Sequence, residues 1–497
     1  MNSLEADEKL HIFFFPFLAY GHMIPIIDIA KMFAARGAKT TLLLTPHNAS
    51  VFSKSIDLER SFGLDIHIQI LRFPFAEAGL PAGIENIDDI PSPEVLPNHF
   101  TAIQMLQEPL EQLLEEHRPN FIVADMFLSF ASEAAGKYGI PRFVFNVAGF
   151  FPQCVEENIL SYKPHEGLTS DGETFVVPGL PDKIEMTRSQ LIVHVKGNDA
   201  ISTELWDKVR EAEKTSCGVL LNTFCKLEPA YAMHYKNVLG KKAWSIGPAS
   251  LGYRKYVDKA QRGKTTSTDA HFVLDWLDRK PPRSVLYICF GSMYSILSGG
   301  QWLELAAGLE DSKTSFIWVI RAKKKEEGQG VRFLPEGFED RMEGKGLIIR
   351  DWAPQVLILD HPAVGGFMTH CGWNSLLEGV SAGVPMITWP MSSEQFYNES
   401  FITHVLKIGI RVGATKWRDS WSTVDQKDVS VKKEKIANAV IQLMGDGEEA
   451  TEMRMRAKGL SDMANESVEE GGSSYENLTS LIEMFKKPSV TSPSISL

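Results

Sequence analysis

The residue types best suited to chemistry are concentrated in one run, WAPQVLILDHPAVGGFMTHCGWNSLLEGVSAGVPMITWPMSSEQ, from Trp352 to Gln395. The indole of Trp352 can stack on a flat base. His370-Cys371-Gly372-Trp373-Asn374-Ser375 leads from an apolar run into a helical one, and a helix N-terminus offers free N–H groups to a phosphate. Gly372 permits close backbone approach there. Glu378 stands four residues past Asn374 on the same helix face, and its carboxylate can accept two bonds from a diol. Glu394 and Gln395 close the run with polar groups. Base, diol, diphosphate and sugar are the four parts of a sugar nucleotide, and the run holds a residue for each. Taken singly, these residues have plainer uses. Trp352 fills a core, Asn374 and Ser375 cap a helix, and Glu394-Gln395 faces water.

A second constellation lies far upstream. His22 sits in Tyr20-Gly21-His22-Met23-Ile24-Pro25, just after an apolar run, and Asp125 ends the run Ile122-Val123-Ala124. If both follow strands of one parallel sheet, both point from its carboxyl edge into one crevice. A histidine held and charge-supported by a carboxylate suits a general base near neutral pH.

The elements needed to position these groups are legible as alternating strands and helices. His11–Phe15 reads as a strand, and Pro25 opens a helix that Gly37 ends. Further strands are expected at 40–45, 120–124 and 142–145, with a helix at 129–138. A second series has strands at 284–290, 315–320, 346–350, 364–368 and 385–389 and a helix at 301–309. Such alternation predicts an α/β fold with parallel, doubly wound sheets, and 497 residues exceed one ordinary core. Residues 249–269 lack apolar periodicity and read as an interdomain linker. Segments 75–97 and 157–185 read as long loops, and the tail 487–497 (KPSVTSPSISL) as disordered.

Composition narrows the partners. The chain is 44% hydrophobic and 23% charged, with 63 acidic and 51 basic residues and a net charge of −12. An acidic chain with no basic block argues against nucleic acid and anionic membrane. Five scattered cysteines without a CxxC pair fit reduced thiols. The first residues, MNSLEADEKL, are acidic, which is wrong for a signal peptide, and no apolar run is long enough to span a bilayer. A cytoplasmic monomer is the expectation.

The run 352–395 resembles the donor-binding signature of the plant secondary-product UDP-glycosyltransferases, and the resemblance extends to GHMIP, VADMF and CFGS. It implies the GT-B type, two facing Rossmann-like domains. Residues 1–248 would bind the acceptor and 270–470 the UDP-sugar, with a helix at 471–486 returning to the first domain. It also implies roles. Trp352 would hold the uracil, with the Ala353 backbone on the base edge, and Gln355 would lie near the ribose. His370, Trp373, Asn374 and Ser375 would form the phosphate turn, with Ser292 beside Gly291 as a further diphosphate contact. Glu378 would take the ribose hydroxyls, and Glu394 and Gln395 the sugar. A final Gln is associated in that family with glucose, and a His with galactose. Where relatives often carry a Ser or Thr near the sugar, this chain reads Asn146-Val147-Ala148-Gly149, without a hydroxyl at 147 or 148.

The expected activity is inverting glucosyl transfer with no metal and no cofactor, UDP-glucose being the co-substrate. His22 would be the base and Asp125 its support. Phe17, Phe127, Phe150 and Phe151 would line a pocket for a lipophilic acceptor. Spacing around GKTTSTDAHFVLDWLD and EEGGSSYENLTSLIEMF resembles a subgroup acting on triterpenoids, steroids and flavonoids. A nicotinamide oxidoreductase would want GxGxxG after its first strand, and that turn reads FLAYGHMIP. An inactive UDP-sugar-binding protein is the other alternative, which a turnover assay separates.

Overall fold

The computed structural model describes residues 9–197, 199–252, 262–263, 269–292, 297–321, 334–419, 425 and 427–486. Two parallel sheets organise the chain. The first combines β1 (His11–Phe15), β2 (Lys39–Leu44), β3 (Ile66–Ile70), β4 (Phe121–Asp125) and β5 (Arg142–Asn146). After a small antiparallel hairpin, β6 (Thr174–Val176) and β7 (Glu185–Thr187), it gains β8 (Val219–Leu221) and β9 (Ala243–Ser245). Its order is β3-β2-β1-β4-β5-β8-β9. The second sheet contains β10 (Val285–Cys289), β11 (Ser315–Ile320), β12 (Gly346–Arg350), β13 (Val364–Thr369), β14 (Met386–Thr388) and β15 (Gly409–Arg411). Its order is β12-β11-β10-β13-β14-β15. The expected α/β class with two parallel sheets is what the chain forms.

Strand β1 shows why the sequence folds this way. Ile12 and Phe14 enter one core with the helix Tyr20–Ala34, while Phe13 and Phe15 enter another with the helices Gln107–His117 and Phe130–Lys137. A strand apolar on both sides is buried on both faces, as a parallel sheet flanked by helices requires. In register, Phe15 of β1 lies beside Ala124 of β4, so the chain leaves both strands at one edge. In the second sheet Cys289 pairs with Thr369, which brings the turns after β10 and β13 together.

The helix expected to open at Pro25 instead spans Tyr20–Ala34, with Pro25 inside it. Proline has no N–H for the carbonyl four residues back and normally disrupts a helix. That carbonyl belongs to Gly21, and it accepts a hydrogen bond from Asn374 Nδ2 of the other domain at 2.6 Å. His22 therefore sits in the first helical turn rather than in a loop. Segment 157–185 is also less loop-like than expected, because the helix Phe150–Tyr162 runs into it and the β6–β7 hairpin begins within it.

Helix Ser473–Lys486 buries Leu478, Leu481 and Ile482 in the core of the first domain, and Phe485 lies 4.7 Å from Phe121 between ring centroids. Of the expected linker, Ala249–Gly252 is a 3-10 turn packed on the helix Tyr20–Ala34, and Arg262 and Gly263 meet Trp352. Most of its remainder lies outside the described residues, as does the tail 487–497. The five cysteines are free. Among the described residues no helix is long and apolar enough to cross a membrane.

Candidate active site

The edge shared by β1 and β4 joins the upstream pair. His22 Nδ1 lies 2.8 Å from Asp125 Oδ2, and the other Asp125 oxygen accepts the Phe127 N–H at 3.0 Å. Asp125 is fully buried, while the His22 side chain keeps 16% exposure. With Nδ1 on the carboxylate, Nε2 is the nitrogen left to face a substrate. Burial alone would lower the His22 pKa. The charge and hydrogen bond of Asp125, helped by Glu394 and Asp88, outweigh it and raise the pKa above 6.5. A base works only when neutral, so acidification through the raised pKa removes it. The acid limb of kcat/KM should therefore lie above pH 6.5, with the rate rising as pH increases through it. Asp125→Asn should move that limb to lower pH and lower the plateau. A parent limb at or below pH 6.5 would contradict this assignment.

Aromatic rings wall the dyad. Phe17 and Phe127 each stand 5.4 Å from the His22 ring, between centroids. Phe100 stacks on Phe17, and Trp206 meets Phe127 edge-on at 5.5 Å. Phe150 and Phe151, expected in the same pocket, are elsewhere. Phe150 packs on Tyr235, and Phe151 packs on Tyr231 and Phe401, all in the buried core. Glu228 draws them there. One of its oxygens accepts the Phe151 N–H at 2.6 Å and the other the Thr223 hydroxyl at 2.5 Å, so a distant carboxylate caps the helix Phe150–Tyr162. Burial pushes the Glu228 carboxyl up to about 7.

Across the cleft, the turns after β10, β11, β12 and β13 gather the other residues. Trp352 follows β12, is 8% exposed and meets Tyr20 of the first domain edge-on at 6.0 Å. Its Nε1 donates to Arg262 O at 3.3 Å. The neighbouring Ala353 is also buried. Gln355 Nε2 donates to Glu378 at 2.7 Å and to Ser375 Oγ at 3.1 Å, while Tyr287 donates to its carbonyl at 3.3 Å. Arg262 bonds the second Glu378 oxygen and, at 2.8 Å, Asp28 of the first domain. Glu378 is therefore a buried acceptor held in place on both sides.

The helix Trp373–Ala382 begins at Gly372 without a side-chain cap, so no capping side chain takes up its first N–H groups. His370 is wedged between glycines. A Cβ on Gly291 would come within 2.6 Å of its Nε2, and one on Gly372 within 2.4 Å. Burial, with the Arg321 charge second, pushes the His370 pKa down to about 4. At neutral pH it can offer a phosphate an N–H dipole but no positive charge. Ser292, in the segment after β10, has its Oγ 4.0 Å from where a Cβ on Gly21 would stand. The indole of Trp373 does not face the cleft. It donates to Asn222 O at 2.9 Å and presses on Gly149, so it ties the two domains and leaves only its backbone for a donor.

Glu394 is bonded by Asn398 Nδ2 at 3.1 Å, and burial raises its pKa. Its charge is one of the lesser causes that raise the His22 pKa. The Gln395 carbonyl oxygen accepts the N–H groups of both Met391 and Ser392, at 2.9 and 3.0 Å. The amide thus folds onto its own loop and has only its NH2 to offer a sugar.

The chain is similar to known proteins over nearly its whole length. Residues 270–438 match the family described as UDP-glucoronosyl and UDP-glucosyl transferase. A scopoletin glucosyltransferase of Nicotiana tabacum is 50% identical over 96% of this chain and 98% of its own length. The chain belongs to the UDP-glycosyltransferases. An anthocyanin 3'-O-beta-glucosyltransferase of Gentiana triflora is 47% identical to this glycosyltransferase over 96% of this chain and 98% of its own. A Glycyrrhiza uralensis protein, crystallised with glycyrrhetinic acid 3-O-monoglucuronide, superposes with a TM-score of 0.90 at 41% identity, covering 96% of each chain.

Several residues of this glycosyltransferase that shape the site escape sequence reasoning. Trp206 joins the aromatic wall from a helix 79 residues beyond Phe127 in order but adjacent in space. Arg262 reaches Glu378 from the linker segment, and Arg321 reaches the Trp352 ring from the end of β11. A basic residue directly after the β11 run was the one available signal, since strand ends of such sheets face ligands.

Proposed function

We propose that this UDP-glycosyltransferase moves glucose from UDP-glucose onto a hydroxyl of a lipophilic small molecule, with inversion and without a metal. The observation that carries the reading is the 2.8 Å His22–Asp125 pair, one residue from Gly21, whose carbonyl accepts from Asn374 in the first turn of the other domain's helix Trp373–Ala382. His22 Nε2 takes the acceptor proton. The acceptor oxygen bonds to the anomeric carbon from the face opposite UDP, the carbon–oxygen bond to the diphosphate breaks, and an α-linked donor becomes a β-glucoside. Charge developing on the departing diphosphate meets the N–H groups of the helix Trp373–Ala382 and the His370 ring. Phe17, Phe100, Phe127 and Trp206 favour a flat or polycyclic acceptor, in keeping with the scopoletin, anthocyanin and glycyrrhetinic acid names of the similar proteins. The test is incubation with UDP-glucose and a broad aglycone panel, with products read by mass. Acceptors gaining one hexose support the proposal. UDP-sugar binding without turnover on any of them would favour the inactive alternative.

Two results should accompany it. A helix N-terminus can meet a diphosphate with N–H groups in place of a cation, and we expect the helix Trp373–Ala382 to do so. Activity should survive a chelator; loss restored by Mg²⁺ or Mn²⁺ would refute metal independence. UDP-glucose should also be preferred over UDP-galactose in kcat/KM. The sugars differ at one hydroxyl, and a site built to bond it rejects the wrong epimer because its own polar groups are left unpaired. Gln395→His should narrow or reverse the ratio. With Val147 and Ala148 lacking a hydroxyl for the 6-position, UDP-xylose should be a minor donor. A parent preferring UDP-galactose would show the reading of Gln395 to be wrong.

A further inference from the structure

Arg321, beside the donor-site residues Ser292 and Trp352, has no counter-ion among the described residues. It follows β11, between the turns that carry Ser292 and Trp352. Its guanidinium carbon lies 4.6 Å above the Trp352 ring, and Nη1 donates to Ser292 O at 2.5 Å. Nε is buried and has no hydrogen-bond partner among the described residues. No carboxylate among the described residues pairs with it, although Arg262 close by is paired twice. A guanidinium carries five N–H donors in a fixed fork that suits phosphate oxygens. Keeping one partly buried with a donor unspent costs stability, which a bound anion would offset.

The surroundings call for a positive charge. A UDP-sugar brings a dianionic diphosphate to a chain of net charge −12. His370 is neutral at pH 7, and part of the reason is the Arg321 charge beside it. Helix N–H groups supply only partial charge. The bond to Ser292 O draws the guanidinium toward the turn after β10, which faces the diphosphate turn, and away from β12.

We infer that Arg321 binds the donor's diphosphate, swinging from Trp352 when the base stacks there, and stabilises the charge of departing UDP. The inference rests on the reading of this cleft as the UDP-sugar site.

Calorimetry with two ligands tests it. Uridine carries the base and ribose, and UDP adds the diphosphate. Arg321→Gln should weaken UDP about 10- to 100-fold, as loss of a charge-assisted pair does, and leave uridine within about 2-fold. Arg321→Lys, which keeps the charge, should restore UDP affinity to within a few-fold of the parent. In turnover the Gln variant should lose kcat as well, because charge on the leaving group grows in the transition state. Equal weakening of uridine and UDP would assign Arg321 to the base and overturn the inference. Unchanged UDP affinity in Arg321→Gln would also overturn it. A parent that binds neither ligand would instead overturn the reading of the cleft itself.

Discussion

His22→Ala should cut kcat by ~100- to 10,000-fold on an unactivated alcohol acceptor, the usual worth of general-base assistance. UDP affinity should stay within about 2-fold of the parent, because a general base contributes to the transition state rather than to ground-state donor binding. Parallel pairing of β1 and β4 puts His22 and Asp125 at one edge. The 2.8 Å bond fixes the ring through Nδ1 and leaves Nε2 for the acceptor. Asp125, wholly buried and bonded by the Phe127 N–H, cannot turn away from it. Two readouts make the test specific. A phenol acceptor, already acidic, should lose less than an aliphatic alcohol, because less proton transfer needs help. The acid limb of the parent profile should disappear in the alanine variant. Turnover within a few-fold of the parent on an aliphatic alcohol would remove His22 from the role.

Glu378→Ala should weaken UDP and UDP-glucose alike, since both carry the ribose. Hydrogen bonds to a charged acceptor are worth ~1.5–3 kcal/mol, or roughly 10- to 150-fold in Kd. Gln355 and Arg262 each occupy one oxygen, and a carboxylate has about four lone-pair sites, so one remains on each oxygen for a ribose hydroxyl. The variant also leaves the Gln355 amide and the Arg262 guanidinium without this partner, so a thermal melt should accompany the titration. A conservative Glu378→Gln change keeps the shape and loses the charge, and it should fall between parent and alanine. Calorimetry giving the same UDP Kd for Glu378→Ala and the parent would contradict the assignment.

The strands that are continuous apolar runs were legible, whereas β3 (IHIQI), β8, β9 and β15, short or interrupted by polar residues, were not. β1, β11 and β12 appear at the residues their runs mark out. The pairing of His22 with Asp125 was legible because Asp125 ends one such run and His22 lies in the turn-to-helix segment after another. The start of the first helix was not. Pro25 looks like an opening residue, yet the helix tolerates it inside because Asn374, from the other domain, takes the carbonyl that proline leaves unbonded. Phe150 and Phe151 follow a strand end, which suggested a pocket. Glu228 pulls their helix inward from far along the chain, and no local pattern records that. Trp373 looks like part of the phosphate turn by position, while its indole serves the domain contact. In each case the missing information is a long-range contact rather than a local preference.

The central claim is that a neutral His22 base and a UDP leaving group on opposite sides of the sugar deliver a β-glucoside. The most direct measurement is the anomeric configuration of the product, by proton NMR of a transfer reaction run with α-linked UDP-glucose and one accepted aglycone. The account predicts a β-glucoside and one UDP released per glucoside formed. An α-glucoside, or UDP release with free glucose and no aglycone conjugate, would contradict it.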